Sequence, residues 1–195
     1  VPGGSPFNVA VAVSKLGAQS GFVCPTSIDE HGVLLRRHLN ESKVHHLSPE
    51  PVDAPTARAE VYTDAGGHPS YTFHRDKTAD RTLIGESLAA ALPSEFSCLH
   101  FGSLTLASRD DWTQWRRVVV RAKSQGVAVS LDPNIRTALI EDWPDYRRRL
   151  VDALTLADIV KVSDEDLRLL GESNPIERVK EWKTQFELKL VALTM

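Results

Sequence analysis

The chain has 195 residues, 42% of them hydrophobic and 25% charged, and carries a net charge of −3. That is an ordinary composition for a globular protein with a sizeable core. It excludes the basic excess that draws in nucleic acid or an anionic membrane, and no apolar run approaches the length of a membrane span.

Strand-like and helix-like stretches alternate along most of the chain. Residues 7–16 are apolar on nearly every side and end at Gly17, which reads as a buried helix closed by a glycine. Residues 21–24 read as a short strand. Residues 32–40 read as a helix with Leu34, Leu35 and Leu39 on one side. Residues 45–75 break the pattern. Two strands, 57–63 and 70–73, flank Asp64-Ala65-Gly66-Gly67, a hairpin signal. The expectation is a small β lid.

Alternation then resumes. Residues 97–101 read as a strand. Residues 108–125 read as a helix with Trp112, Trp115, Val119 and Ala122 on one face, Ser108 and Asp111 as a capping box, and Gly126 as its end. Residues 127–131 form a continuous apolar strand, as expected when both faces of a sheet are covered. A helix at 146–156, a strand at 159–162, helices at 164–170 and 175–186, and a strand at 188–194 follow. Repeated β-α-β units imply a mainly parallel sheet, right-handed crossovers, and helices on both faces. No second domain stands out.

Cys24 and Cys98 sit in apolar stretches without a CxxC partner. They read as buried reduced thiols, which points to the cytoplasm. The seven histidines show no metal spacing. His45 and His46 are adjacent, so a strand would point them to opposite faces.

In open parallel sheets, ligands bind beyond the C-terminal strand ends. Three stretches qualify as ligand sites. Gly3-Gly4-Ser5-Pro6-Phe7-Asn8 opens the first helix, where bare backbone and an amide could meet oxygen ligands. It reads equally as a terminus before a proline-started helix, and by itself that plainer reading is preferred. Asp132-Pro133-Asn134-Ile135-Arg136 follows a strand and brings a carboxylate, an amide and a guanidinium into one turn. Arginine's fork suits a phosphate or carboxylate, although Asp-Pro-Asn is also ordinary turn chemistry. Lys161-Val162-Ser163-Asp164-Glu165-Asp166 ends another strand with one cation and three acids. Its carboxylates suit Mg²⁺, partly through water. Its spacing favours a second reading, a Ser163–Asp166 capping box. The chain has no GxxxxGK[ST], no GxGxxG after a strand, no GxSxG and no HExxH.

In this order the pieces resemble the ribokinase-like (PfkB) carbohydrate kinases, closest to fructokinase and 2-keto-3-deoxygluconate kinase. GGSPFNVAVAVSKLG resembles the family's GGxxxNxAxxxxxLG, and IDEHG its GxDxxG turn. TARAEVYTDAGGHPSYTFHR resembles the lid strands, while LHFGSLTLAS, VSLDPNIR and DIVKVSDEDL resemble fructokinase blocks. The resemblance implies a Rossmann-like three-layer α/β/α domain over residues 1–195, with a mainly parallel sheet and a β lid at about 45–75. It implies ATP and Mg²⁺ as cofactors and phosphorylation of a primary hydroxyl of a small sugar, fructose first, 2-keto-3-deoxygluconate or another sugar as alternatives.

Carried over by position, Gly3, Gly4 and Asn8 would contact sugar hydroxyls and Arg75 would close on the sugar. Arg136 would meet the acceptor end or the transferring phosphate. Lys161, Ser163 and Asp166 would lie near ATP, with Asp166 near Mg²⁺ through water. Ser163 and Asp166 replace the Asn and Glu of the family's NxxE element, and Ser27 replaces a glycine of the GxDxxG turn. The family's first strand, with its substrate-binding Asp, and its GAGD motif, with the catalytic base, have no counterpart in these residues. The resemblance therefore implies a domain cut at both ends and inactive by itself. A non-catalytic sugar-binding pseudokinase is the alternative from another class, and a glycine-loop Rossmann domain a weaker one. The lid strands offer edges through which a homodimer could form.

Overall fold

A computed structural model of the chain describes residues 1–48, 50–63, 69–82 and 85–195. The chain divides into two compact units, Val1–Leu92 and Pro93–Met195.

In the first unit, α1 (Ser5–Lys15) starts at Gly4 with a proline in its first turn, and Gly17 follows its end with φ 88°. It is buried along one stripe only: Phe7, Ala10 and Val11, at the i, i+3, i+4 spacing of a helix face. That corrects the expectation of a helix buried all round. β1 (Ser20–Phe22) pairs in parallel with β2 (Val44–His46), and α2 (Glu30–Glu41) connects them. Leu39 and Val44 join the α1 stripe in a small core, with Leu35 and Phe22 packed against it. Leu34, expected on the same side, is 43% exposed.

The turn before α2 is held by one carboxylate. Asp29 caps the helix by accepting the Gly32 N–H at 2.7 Å, and it also accepts the Thr56 N–H and hydroxyl at 2.8 and 2.6 Å. Gly32 has no room for a side chain, because a Cβ there would lie 2.0 Å from the Ser27 carbonyl oxygen. Ser27 is buried and its hydroxyl accepts the Asp29 N–H at 2.9 Å, so the serine braces the turn.

β3 (Arg58–Thr63) and β4 (Pro69–His74) form the expected antiparallel pair, in register from Arg58↔His74 to Thr63↔Pro69. The hairpin signal at residues 64–67 lies outside the described residues. One face of the pair carries Ala59, Val61, Tyr71 and Phe73. Val61 and Tyr71 are exposed, and the Tyr71 and Phe73 rings stack 6.1 Å apart. A short helix, α3 (Gly85–Ala90), ends the unit and buries Leu88.

In the second unit, β5 (Cys98–Gly102), β6 (Ala128–Asp132), β7 (Ile159–Ser163) and β8 (Leu190–Thr194) form a wholly parallel sheet in chain order. α4 (Arg109–Ser124), α5 (Trp143–Leu156), α6 (Asp164–Leu169) and α7 (Pro175–Gln185) accompany the strands. The core gathers Phe101, Val129, Leu131, Val160 and Val162 from one sheet face. The helices add Trp112, Val119, Tyr146, Leu150, Leu154, Leu167 and Trp182. Fully burying a side chain such as Leu131 contributes roughly 1.5–3 kcal/mol.

The strand expected to be apolar throughout alternates instead. Val129 and Leu131 are fully buried, while Ala128 and Ser130 on the opposite face are half-buried. Arg149 ties α5 to the end of the Ser103–Leu106 turn by donating to the Leu106 and Ala107 carbonyls at 3.0 Å each, and it pairs with Asp145. The cysteines depart from expectation. Cys98 is exposed and Cys24 half-buried, both as free thiols. Burial pushes the Cys24 thiol well above its ordinary range, the Asp80 charge adding to this and Arg75 opposing it.

Two consequences are measurable. Burial raises the Asp29 pKa, but the Thr56, Gly32 and Ser27 hydrogen bonds outweigh it and hold the carboxyl at about 2, against 3.8 ordinarily. Its stabilising effect is therefore full above pH 4 and fades as pH falls toward 2. Asp29→Ala should cost about 1–2 kcal/mol at pH 7, and urea titrations should show the gap to the parent narrowing between pH 4 and 2. Gly102→Ala should be far worse. Gly102 has φ +152°, and a Cβ there would lie 1.8 Å from the Asp132 carbonyl oxygen. We expect that variant to lose more than about 3 kcal/mol in the same titration, or to be recovered only as aggregate.

Candidate functional site

Parallel pairing brings the C-terminal ends of β5, β6 and β7 to one edge of the second unit's sheet. Gly102, lacking a side chain, lets the end of β5 lie directly against Asp132. One residue on, the Ser103 N–H donates to the Pro133 carbonyl at 3.2 Å. The loop after β6 then turns through Asn134, which takes φ 39°, a left-handed conformation that asparagine tolerates.

Two side chains from the β7 edge hold this loop. Lys161 Nζ pairs with Asp132 Oδ2 at 3.2 Å. Asp166 Oδ1 accepts the Ile135 N–H at 2.8 Å. Asp166 Oδ2 accepts the Ser163 hydroxyl at 2.7 Å and the Ser163 N–H at 3.2 Å, and Ser163 Oγ accepts the Asp166 N–H at 3.0 Å. The capping box read from the spacing is therefore present and, in addition, reaches across to the neighbouring loop. Arg136 follows Ile135 and is half-buried, with Nη1 on the Ile135 carbonyl at 3.1 Å. Of the other two acids, Asp164 pairs with Arg168 along α6 and Glu165 is exposed.

One polar group here was missed in the sequence. His100 on β5 and Ser130 on β6 are register partners, joined Nδ1 to Oγ at 3.1 Å. They lie on the same sheet face as Asp132 and Lys161. His100 Nε2 and Asp132 Oδ1 are buried without a hydrogen-bond partner among the described residues. Burial depresses the His100 pKa, Asp132 opposing this and Lys161 reinforcing it. The Tyr146 hydroxyl is similarly unpartnered, and burial followed by the Asp166 charge pushes its pKa far up. A lone histidine in an apolar run carries no signal of its own. Its partner Ser130 lies on the neighbouring strand, 30 residues away, so no local pattern marks the pair.

In the first unit, Gly3, Gly4 and Asn8 share the start of α1. Gly4 has φ +109°, so its glycine is needed for the backbone. At Gly3 nothing lies within 4 Å of where a Cβ would be, so packing does not require a glycine there. Asn8 is exposed. Arg75 is 9% exposed and follows β4, with Nε on Asp80 Oδ2 at 2.7 Å and Thr78 supporting Asp80 at 2.6 Å. The structure thus brings Arg136, Lys161, Ser163 and Asp166 together in one unit, and gathers Gly3, Gly4 and Asn8 in the other.

The acids do not gather into a cluster of direct metal ligands among the described residues. Among the described residues no three His, Cys, Asp or Glu side chains stand where they could share an ion. Asp166, expected near Mg²⁺, is 5% exposed and commits both oxygens to protein hydrogen bonds.

The likeness to known proteins runs over the whole chain. A family model described as pfkB family carbohydrate kinase matches residues 1–195. Fructokinase-1 of Zea mays is 34% identical over 196 residues, covering 98% of this chain and 61% of that protein. Among solved structures, fructokinase from Vibrio cholerae O395 with fructose, ADP and calcium bound has a TM-score of 0.82 at 29% identity, covering 100% of this chain and 63% of that one. Fructokinase from Xylella fastidiosa with bound ATP has a TM-score of 0.86 at 30% identity, covering 99% and 60%. The chain thus spans about 60% of the length of the curated relatives it matches. With the family's description matching from the first residue to the last, and with the sheet edge built as above, the chain belongs to the pfkB family of carbohydrate kinases.

Proposed function

We propose that the protein is an ATP-dependent kinase that phosphorylates a primary hydroxyl of fructose. The observation that carries this reading is the loop of residues 132–136. It is held from β5, β7 and α6, and it leads into the Arg136 guanidinium at the ligand edge of a parallel sheet. Phosphoryl transfer needs positioning and charge stabilisation more than covalent chemistry, and an arginine carried on an anchored loop is suited to supply both. The fructose- and ADP-bound relative supports the choice of substrates.

In this reading Gly3, Gly4 and Asn8 bind sugar hydroxyls, with Gly3 leaving the backbone open to a ligand. Arg75 closes on the sugar side, and Arg136 contacts the acceptor end or the transferring phosphate. Lys161 and Ser163 line the approach of ATP. Mg²⁺ belongs to the proposal as the counter-ion of ATP, which screens the phosphate charge; the described residues do not form a site for it. The proposed compartment is the cytoplasm, supported by the two free thiols. No helix among the described residues is long and apolar enough to cross a membrane.

The test is ADP release by the full-length gene product across a sugar panel. Fructose should be preferred over 2-keto-3-deoxygluconate and ribose. Arg136→Ala should lower kcat/KM about 100-fold, matching the loss of roughly 3 kcal/mol in charged contacts. No release with fructose would sink the proposal, and preference for the acidic sugar would replace the substrate. These 195 residues contain no GAGD motif, and by themselves they should release no ADP above background.

We further propose that the β3–β4 pair joins two subunits through the apolar face of Ala59, Val61, Tyr71 and Phe73. Light scattering on the full-length gene product should give twice the chain mass, and Val61→Asp should halve it. A monomer in the parent protein would refute this.

A further inference from the structure

Asp166 occupies the position where the resemblance implies an acid near the metal, yet its hydrogen bonds point elsewhere. Its Oδ1 takes the N–H of Ile135, the residue immediately before Arg136. That N–H is buried, as is the Ile135 side chain. The loop it belongs to leaves β6 through a left-handed Asn134. A short turn of this kind would be free to re-register if nothing anchored its far end. The near end is held by Lys161 on Asp132 and by the Ser103 N–H on Pro133. The far end is held by Asp166. Its Oδ2 is kept in place by the Ser163 hydroxyl and N–H, so the carboxylate cannot rotate away without losing three bonds at once.

We propose that Asp166 is a positioning residue for Arg136. It acts through the Ile135 amide, and its carboxylate serves as a bracket between α6 and the loop of residues 132–136, not as a metal ligand. The same capping interaction that starts α6 thereby sets the place of the arginine. A carboxylate is well suited, because two oxygens at fixed separation can serve the loop and the helix start simultaneously. The inference deepens the proposed kinase reading and rests on it for its kinetic consequence alone.

Two variants separate bracket from ligand. Asp166→Ala removes every acceptor and leaves the Ile135 N–H buried without a partner. Asp166→Asn removes the charge but keeps one carbonyl oxygen able to accept that N–H. In the full-length gene product, Asp166→Ala should raise the fructose KM at least tenfold, and Asp166→Asn should recover part of that loss. Both should keep the parent's Mg²⁺ concentration for half-maximal rate within about threefold. A metal role predicts the reverse: both variants would shift the Mg²⁺ requirement tenfold or more, equally, with fructose KM unmoved. That outcome would overturn the proposal.

A second readout needs no activity. Amide hydrogen exchange at Ile135 should accelerate at least tenfold in Asp166→Ala, relative to the Leu131 amide within β6. General destabilisation would speed both amides together, and that result, or an unchanged Ile135 rate, would refute the bracket. If the parent protein shows no fructose-dependent turnover, the kinase reading fails, and the exchange measurement still decides the bracket.

Discussion

The second unit depends on two backbones being allowed to touch. The end of β5 lies against Asp132 at a separation no side chain could share, and Gly102 is the residue that permits it. Once they touch, Ser103 can donate to the Pro133 carbonyl, and the loops after β5 and β6 become one layer. β7 then adds Lys161, and the start of α6 adds Asp166, from the other side. The loop of residues 132–136 is thus gripped from both neighbouring strands. A parallel sheet makes this possible because its strand ends all arrive at one edge.

The two faces of the same sheet do different work. One carries Phe101, Val129, Leu131, Val160 and Val162 into the helical core, where burial stabilises the unit. The other carries His100, Ser130, Asp132 and Lys161, and there stability is given up. Burying His100 Nε2 and Asp132 Oδ1, which have no hydrogen-bond partner among the described residues, costs free energy that an apolar pair of the same shape would not. Such costs concentrate at sites of function, and here they lie beside the loop that carries Arg136.

The short acidic run at the start of α6 has its roles divided by geometry. Asp164 pairs along the helix, Glu165 faces solvent, and Asp166 turns inward to the neighbouring loop. Three consecutive acids look like a cation site when read as a string. In the fold they point in different directions, and among the described residues no three such side chains stand where they could hold an ion together.

Much of the architecture was legible without coordinates. Alternating periodicities, the Ser163–Asp166 spacing and the glycines after α1 and α4 act within a few residues, so the chain's local chemistry determined the elements, their order and the parallel sheet of the second unit. Two glycines at the ends of elements were legible as positions but not as reasons. Gly32 and Gly102 are required by backbone from Ser27 and Asp132, respectively, and Gly102 sits 30 residues from its partner in sequence. Burial was the weakest reading. Leu34 was expected to share a helix side with Leu35 and Leu39 from its spacing, and the two cysteines to be buried from their apolar neighbours, although exposure depends on what packs against them. The candidate site divides the same way. Its strand-end position, with Arg136, Lys161, Ser163 and Asp166 at one edge, followed from the sequence. Tertiary structure alone decided that Asp166 bonds Ile135, that Lys161 bonds Asp132, and that His100 belongs beside them. Those contacts join different strands, and a linear pattern specifies which face a residue takes on its own strand but not which residue of the neighbouring strand it will meet.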